Sequence, residues 1–513
     1  MAGAASPAVT AQLARLPLAV HLVGIAALAM YVPAVHALAQ RDFVVARAFF
    51  YIGTLTLVLC VLLGLALANR RFAVEPRGQL ATILLAFTLL PLLLAVPFAE
   101  ALGDTRLVNA WFEMVSSFTT TGATLYDPAR LPPSLHLWRA LVGWLGGLFV
   151  LVMALAVLAP MNLGGFELLP AAPGQGAGMG RTPGIVAAEA PRRIALHLRT
   201  VGPFYLGLTV ALWIGLLLCG DTPTVALCHA MSALSTSGIS PVGGLAGGGS
   251  GRPGEMLIAL AMAFALCRRM MPAGPSRVRL GRVRADPELR LGLAFVGLGA
   301  VAVLSIHAFE AIRIGAPAGP VEILRIFWAG LFTLLSFLTT TGFVSADWGL
   351  ARTWSGFATP GLILMGFCIV GGGVATVSGG VKILRIWALA LHGLREMEKI
   401  LHPSSIGGGG PVRRHLRGEG AFVAWIFFML FALSIAAVVA LLALTGLDLE
   451  TAMTFAVAAL TTTGPLVQVA PPVPLSFASL DGFARAVLAA AMVVGRMETL
   501  ALIALLAPAS WRQ

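Results

Sequence analysis

The chain has 513 residues, of which 58% are hydrophobic and 11% charged, where soluble domains carry about a quarter charged residues. That composition excludes a soluble globular enzyme, and a mean hydropathy of +0.91 spread over the whole length excludes a single anchor helix bearing a water-soluble domain. The formal net charge is +12, but the basic residues form short blocks between apolar runs with no aromatic-interleaved stripe, so they read as topology signals and nucleic acid is set aside.

A bilayer crossing takes about 20 apolar residues. Such segments fall, in chain order, at 17–39, 46–68, 79–101, 135–160, 200–220, 255–270, 289–309, 356–391, 420–446 and 482–509. The first follows Arg15 without a small-residue cleavage site and is read as a retained helix. Ten crossings put both termini on one side. Loops alternating onto one face hold twenty-one Lys and Arg residues, among them Arg70, Arg71, Arg181, Arg193, Arg268, Arg269, Arg277, Lys382, Arg385 and Arg413. The other face holds seven: Arg41, Arg106, Arg130, Arg252, Arg313, Arg325 and Arg352. The positive-inside rule places the basic face and both termini in the cytosol.

Each outer loop contains a further apolar stretch of about 12–16 residues, too short to cross, and is expected to form a re-entrant half-helix. Each stretch ends in nearly the same peptide: Thr119-Thr120-Thr121-Gly122, Ser235-Thr236-Ser237-Gly238, Thr339-Thr340-Thr341-Gly342 and Thr461-Thr462-Thr463-Gly464. One such peptide is an ordinary helix terminus or turn; four at intervals of roughly 100–120 residues are an internal repeat. The expected architecture is an all-α polytopic membrane protein. An N-terminal two-helix hairpin (1–70) precedes four helix–pore-helix–helix repeats (71–165, 166–285, 286–400, 401–513) in pseudo-fourfold symmetry around one pore.

Inward carbonyls ringed four times around an axis replace the hydration shell of K⁺. Glycine permits the backbone conformations that a Cβ forbids, and threonine adds a hydroxyl oxygen. Unpaired carbonyls at bilayer depth persist only where they line water or bind an ion, and the half-helix C-termini favour a cation.

At these loops, and around Trp111–Thr124, Leu131–Gly147 and Gly495–Trp511, the chain resembles TrkH-type potassium uptake proteins of the Trk/Ktr/HKT superfamily of cation transporters. Arg139, Trp144, Gly146 and Gly147 belong to the second of these segments. The resemblance implies K⁺ ligation by backbone oxygens of Thr120, Thr121, Thr236, Ser237, Thr340, Thr341, Thr462 and Thr463, with Gly122, Gly238, Gly342 and Gly464 shaping the loops. It also implies the bacterial inner membrane, a homodimer, a separate TrkA-like nucleotide-binding regulatory subunit, K⁺ as substrate and no cofactor within this chain.

Five glycines interrupt one inner helix between Gly371 and Gly380: Gly371, Gly372, Gly373, Gly379 and Gly380, with Thr376 and Ser378 between them and Lys382 following. Each costs a helix up to about 1 kcal/mol relative to alanine, so the segment is either a packing kink or a gate. In the family the matching stretch is a polar intramembrane loop beneath the filter, which selects the gate. A phosphate-binding loop is rejected, since the pattern ends Gly-Gly-Val-Lys with no strand before it. Arg496, in an otherwise apolar last helix, is a functional candidate by its depth alone; its ordinary readings are an ion pair with Glu498 or snorkelling. The family carries an arginine here, near the gating loop.

Two departures from the family pattern stand out: Ser237 in the second filter and Pro465 after the fourth. Glu113 and Asp448 either draw cations to the mouth or pair locally. The run Gly407–Gly410 is read as a linker. The five cysteines and nine histidines show no metal-ligand spacing. Two alternatives to a channel-like potassium pore are a secondary transporter coupling K⁺ or Na⁺ to another ion, and a polytopic membrane enzyme, which predicts paired acid and base residues on facing helices.

Overall fold

A computed structural model describes residues 17–68, 76–161, 163, 165–168, 190–270, 280–284, 286–314, 319–349, 361–402, 419–497, 502 and 505. The regular structure among them is helical. α1 (Leu18–Ala39) and α2 (Phe43–Leu67) form a hairpin, and α2 begins where the Asp42 side chain accepts from the Val45 N–H at 3.2 Å. Four groups follow: α3 (Pro76–Leu102), α4 (Leu107–Phe118) and α5 (Pro133–Met153); α6 (Ala190–Leu218), α7 (Pro223–Leu234) and α8 (Gly251–Met262); α9 (Pro287–Ile314), α10 (Pro320–Leu338) and α11 (Gly361–Val370), continued by α12 (Ile383–Leu401); α13 (Glu419–Ala443), α14 (Leu449–Leu460) and α15 (Gly482–Met497).

Apolar residues run around the whole circumference of most of these helices, the mark of a membrane span and not of an amphipathic surface helix. Among the described residues eight helices are long and apolar enough to cross a bilayer, and large side chains such as Leu55, Leu218, Leu298 and Leu433 face outward where lipid covers them. Helix starts follow local chemistry: Pro133, Pro223 and Pro320 sit at first-turn positions where a missing N–H costs nothing.

Three expectations are corrected. The third re-entrant helix, α10, has 19 residues, enough to cross by length; its first two turns are largely exposed and burial begins at Ile326, so its packed part matches the 12-residue α4, α7 and α14. Conversely, α8 has 12 residues, fewer than the crossing expected at 255–270, and α11 and α15 show 10 and 16 residues among the described ones. α8 tightens into a 3₁₀ turn at Ala263–Ala265 and α11 stops at Gly371, while 356–360 and most of 498–509 lie outside the described residues. Lys382 and Arg385, counted among the basic loops, are in fact buried, the latter with its guanidinium 3.7 Å from the Phe427 ring centre. Arg70, Arg71, Arg181, Arg277, Arg352, Arg413, Glu498 and Gly407–Gly410 fall outside the described residues.

The groups interlock cyclically. Besides packing in its own group, the last helix of each packs on the short helix of the next: α5 on α7, α8 on α10, α11 on α14, and α15 back on α4. The hairpin lies outside this ring against α3 and α5. Close approach depends on two glycines at matching positions. A Cβ on Gly146 of α5 would lie 2.0 Å from the Phe118 carbonyl oxygen, and one on Gly495 of α15 would lie 2.1 Å from that of Leu460. Phe118 and Leu460 are the last residues of α4 and α14. Gly146→Ala and Gly495→Ala are each expected to destabilise the protein by about 1–3 kcal/mol through overpacking, read as a lower midpoint of thermal unfolding in detergent.

Candidate ion-binding site

The four hydroxyl-rich peptides share one backbone path. The first residue of each (Thr119, Ser235, Thr339, Thr461) ends its short helix, its N–H still donating to the carbonyl four residues back at 2.9–3.0 Å. The second residue turns left-handed, with φ of 56° at Thr120, 50° at Thr236, 56° at Thr340 and 55° at Thr462. For a β-branched residue this costs of order 1–3 kcal/mol and marks a functional constraint. The third residue returns its N–H to the helix: Thr121 to Ser116 at 2.8 Å, Ser237 to Ser232 at 3.0 Å, Thr341 to Ser336 at 2.8 Å and Thr463 to Ala458 at 2.8 Å.

In every loop the first and third hydroxyls bond each other, at 2.8, 3.0, 2.9 and 3.2 Å in chain order. The second hydroxyl is the one left over. Thr236 Oγ1 and Thr462 Oγ1 are buried without a hydrogen-bond partner, whereas Thr340 Oγ1 accepts from the Gly379 N–H at 2.7 Å and Thr120 Oγ1 accepts from Arg496. Buried oxygens left unpaired are costly, and an oxygen-seeking cation is what would satisfy them.

The four loop glycines close the ring. A Cβ on Gly122 would lie 1.8 Å from the Ser237 carbonyl oxygen, on Gly238 2.2 Å from that of Thr341, on Gly342 2.8 Å from Pro465 Cγ, and on Gly464 2.3 Å from the Ala123 nitrogen. Loop one thus meets two, two meets three, three meets four and four meets one. Both sequence departures have structural counterparts. Ser237 makes the same first-to-third hydroxyl bond as threonine, so the second loop keeps its shape. Gly122, Gly238 and Gly342 have φ of 74°, 63° and 84°, but Gly464 has no positive φ. Pro465 (φ −61°) turns the chain into a helical turn, Leu466–Val469, and the Gly464 N–H donates to the Thr121 carbonyl at 2.6 Å.

Below the ring, α11 stops at Val370 and the chain departs through Gly371–Gly380. The helix's last carbonyls find donors on the far side of this excursion: Val381 N–H to Ile369 at 2.8 Å and Lys382 N–H to Val370 at 2.9 Å. Backbone at this depth is therefore paired despite the break. Gly379 is pressed against loop four, where a Cβ would lie 2.2 Å from the Thr461 carbonyl oxygen. Thr376 and Ser378 bond each other at 2.7 Å, and Lys382 Nζ donates to the Ser378 carbonyl. Arg496 is 8% exposed and donates to both Thr120 Oγ1 and the Val377 carbonyl, so it joins the ring to the glycine-rich loop and does not snorkel.

The family model for TrkH, a cation transport protein, matches residues 292–512. The chain is 30% identical to the Trk system potassium uptake protein TrkI of Halomonas elongata, over 83% of this chain and 81% of that protein. It is 28% identical to the Trk system potassium uptake protein TrkH of Vibrio parahaemolyticus, over 86% and 88% of the two chains. This chain belongs to the TrkH family. The crystal structure of the potassium transporter TrkH from Vibrio parahaemolyticus superposes with a TM-score of 0.77 at 26% identity, covering 98% of this chain and 99% of that one.

Within this TrkH-family chain the structure also brings in residues that sequence reading left undecided or missed. Nine residues before each loop glycine stand Glu113, His229, Thr333 and Phe455. Glu113 pairs with Arg139 at 2.9 Å, both buried, and accepts from the Leu125 N–H and the Thr124 hydroxyl just past Gly122. His229 bonds Ser240 Oγ at 2.9 Å, and Thr333 Oγ1 accepts from the Ser345 N–H at 3.3 Å, both just past their own glycines. Glu255, from α8, accepts from Ser345, Ala346 and Trp328, while Phe455 packs on Phe477. The signal was available as a fixed offset from four aligned glycines. Local pairing is thus the role of Glu113, and Asp448 caps α14, where the Thr451 N–H holds its carboxyl below the usual range. Glu113→Ala leaves Arg139 buried and unpaired and is expected to cost about 3–5 kcal/mol. Glu113→Gln, which keeps an acceptor for Leu125, is expected to cost less in the same thermal unfolding measurement.

Proposed function

We propose that the chain is a channel-like potassium uptake protein in which the four loops form the selectivity filter and residues 371–380 the gate. The carrying observation is the closed ring of four left-handed threonines, in which the Thr340 hydroxyl is held by Gly379 of the glycine-rich loop, that of Thr120 by Arg496, and those of Thr236 and Thr462 have no partner. Backbone oxygens of Thr120, Thr121, Thr236, Ser237, Thr340, Thr341, Thr462 and Thr463 are the ligands on this reading. In the conformation at hand the Thr121 carbonyl is occupied by Gly464, and Arg496 sets a fixed positive charge beneath loop one. That charge opposes a cation, so the arrangement is a closed one, and conduction requires Arg496 and the loop to withdraw together.

The asymmetry of basic residues supports cytosolic termini and inward movement of K⁺, which the membrane potential drives at about 2.3 kcal/mol per charge for each 100 mV. Kinship with bacterial Trk systems supports the bacterial inner membrane, a homodimer, and a TrkA-like nucleotide-binding subunit on the basic face. It also supports a transport role, with K⁺ as substrate, over an enzymatic one. The Asp221, His229 and Ser240 side chains lie in a row, with 3.6 Å between Asp221 Oδ2 and His229 Nδ1, but the Ser240 hydroxyl donates to the Gly244 carbonyl and braces a loop.

K⁺-limited growth of an uptake-deficient bacterium tests the filter: this chain is expected to rescue growth and Gly342→Ser, whose side chain meets Pro465, to lose rescue at least tenfold. Undiminished rescue by that variant removes the filter assignment. For the gate, Gly379→Ala and Arg496→Ala are each expected to raise resting K⁺ flux in proteoliposomes several-fold. Discrete single-channel currents distinguish the pore from alternating access.

A further inference from the structure

The gating loop is held from two directions, and only one has a part in the function above. On the filter side Arg496 donates to the Val377 carbonyl. Three residues earlier, the Val374 N–H donates to Glu288 Oε1 at 2.8 Å. Glu288 is 2% exposed and sits in the first turn of α9, eighty-six residues away in sequence. It is itself tied outward: its N–H donates to Asp286 Oδ1 at 3.0 Å, and Asp286 Oδ2 pairs with Arg269 Nε at 2.7 Å. The Arg269 side chain is 44% exposed, so an unbroken run of polar contacts leads from the basic surface to the gate.

The same stretch of chain supports the loop from below. The Gly373 N–H donates to the Ala265 carbonyl at 3.0 Å, and a Cβ on Gly373 would lie 2.4 Å from the Leu266 carbonyl oxygen. Arg268 lies over the Phe166 ring at 5.9 Å, and Val374 packs with Leu168. The chain between α5 and α6 and the chain between α8 and α9 therefore converge on one turn of the gate.

We propose that Glu288 is a positioning residue that latches the gate from the cytosolic side, and that displacement of the Arg269–Asp286 contact is how a change on the basic surface reaches the pore. The proposal rests on reading residues 371–380 as the gate. Glu288 accepts the Val374 N–H and Arg496 donates to the Val377 carbonyl, so the turn from Val374 to Val377 is gripped by an acceptor at one end and a donor at the other. Releasing either end frees it.

The test is resting K⁺ flux through the purified full chain in proteoliposomes, for variants that keep the parent's gel-filtration profile. Glu288→Ala is expected to raise flux about tenfold. Glu288→Asp keeps the charge but loses the reach to Val374 and is expected to do nearly the same, while Glu288→Gln keeps an acceptor and is expected to give a much smaller rise. Asp286→Asn and Arg269→Ala, milder changes further out, are expected to raise flux by a few-fold. If Arg496→Ala raises flux while Glu288→Ala and Glu288→Asp remain at the parent's rate, the latch is overturned and the gate stands. If Glu288→Gln opens the pore as fully as Glu288→Asp, a hydrogen-bonding latch is likewise overturned. If neither Glu288 nor Arg496 variants change flux, the gate reading fails and the latch with it.

Discussion

Backbone polar groups at bilayer depth must find partners, and every unusual feature of this chain follows from how that demand is met. Four short helices end inside the protein, and at each end the third residue of the loop returns its N–H to the helix while first and third hydroxyls pair. Of the four second hydroxyls, those of Thr236 and Thr462 remain unpaired, while Gly379 engages that of Thr340 and Arg496 that of Thr120. The glycine-rich break obeys the same demand by a different route, taking donors from Val381 and Lys382 to finish the ladder of α11.

The protein maintains this arrangement by packing. The last helix of each group leans on the short helix of the next, and where two backbones must touch, as at Gly146 under Phe118 and Gly495 under Leu460, there is no side chain to separate them. Left-handed threonines are sustained because neighbouring loops confine them on both sides. The strain at those positions is offset by the many contacts of the surrounding helices, which is the usual relation between a rigid scaffold and an unfavourable local conformation.

Much of this was legible from sequence, for identifiable reasons. Hydropathy gives the spans because lipid imposes a length, and the repeated peptide gives the loops because the same backbone path is needed four times. Arg496 was conspicuous through the cost of its burial. Less legible were quantities set by tertiary contact. The end of α8 and the packed part of α10 depend on where neighbours cover them. Glu255 and Glu288 lie far in sequence from the loops they hold, with ordinary neighbours on either side, so nothing local distinguishes them from surface acids. Glu113 was visible but ambiguous, and only the distance to Arg139 decided between mouth and brace.

One consequence concerns the number of chains in the ring. A pore assembled from identical subunits has to place the same insertion four times, and four copies would compete for one axis. Here the quarters differ: a carboxylate, an imidazole, a hydroxyl and a phenyl ring occupy the same bracing position, and just one quarter carries the glycine-rich excursion. That excursion makes polar contact with loop three directly and with loop one through Arg496, while lying against loop four. Fusion of the repeats into a single polypeptide is what allows one quarter to carry such a segment alone, so each quarter is free to specialise without imposing its choice on the other three.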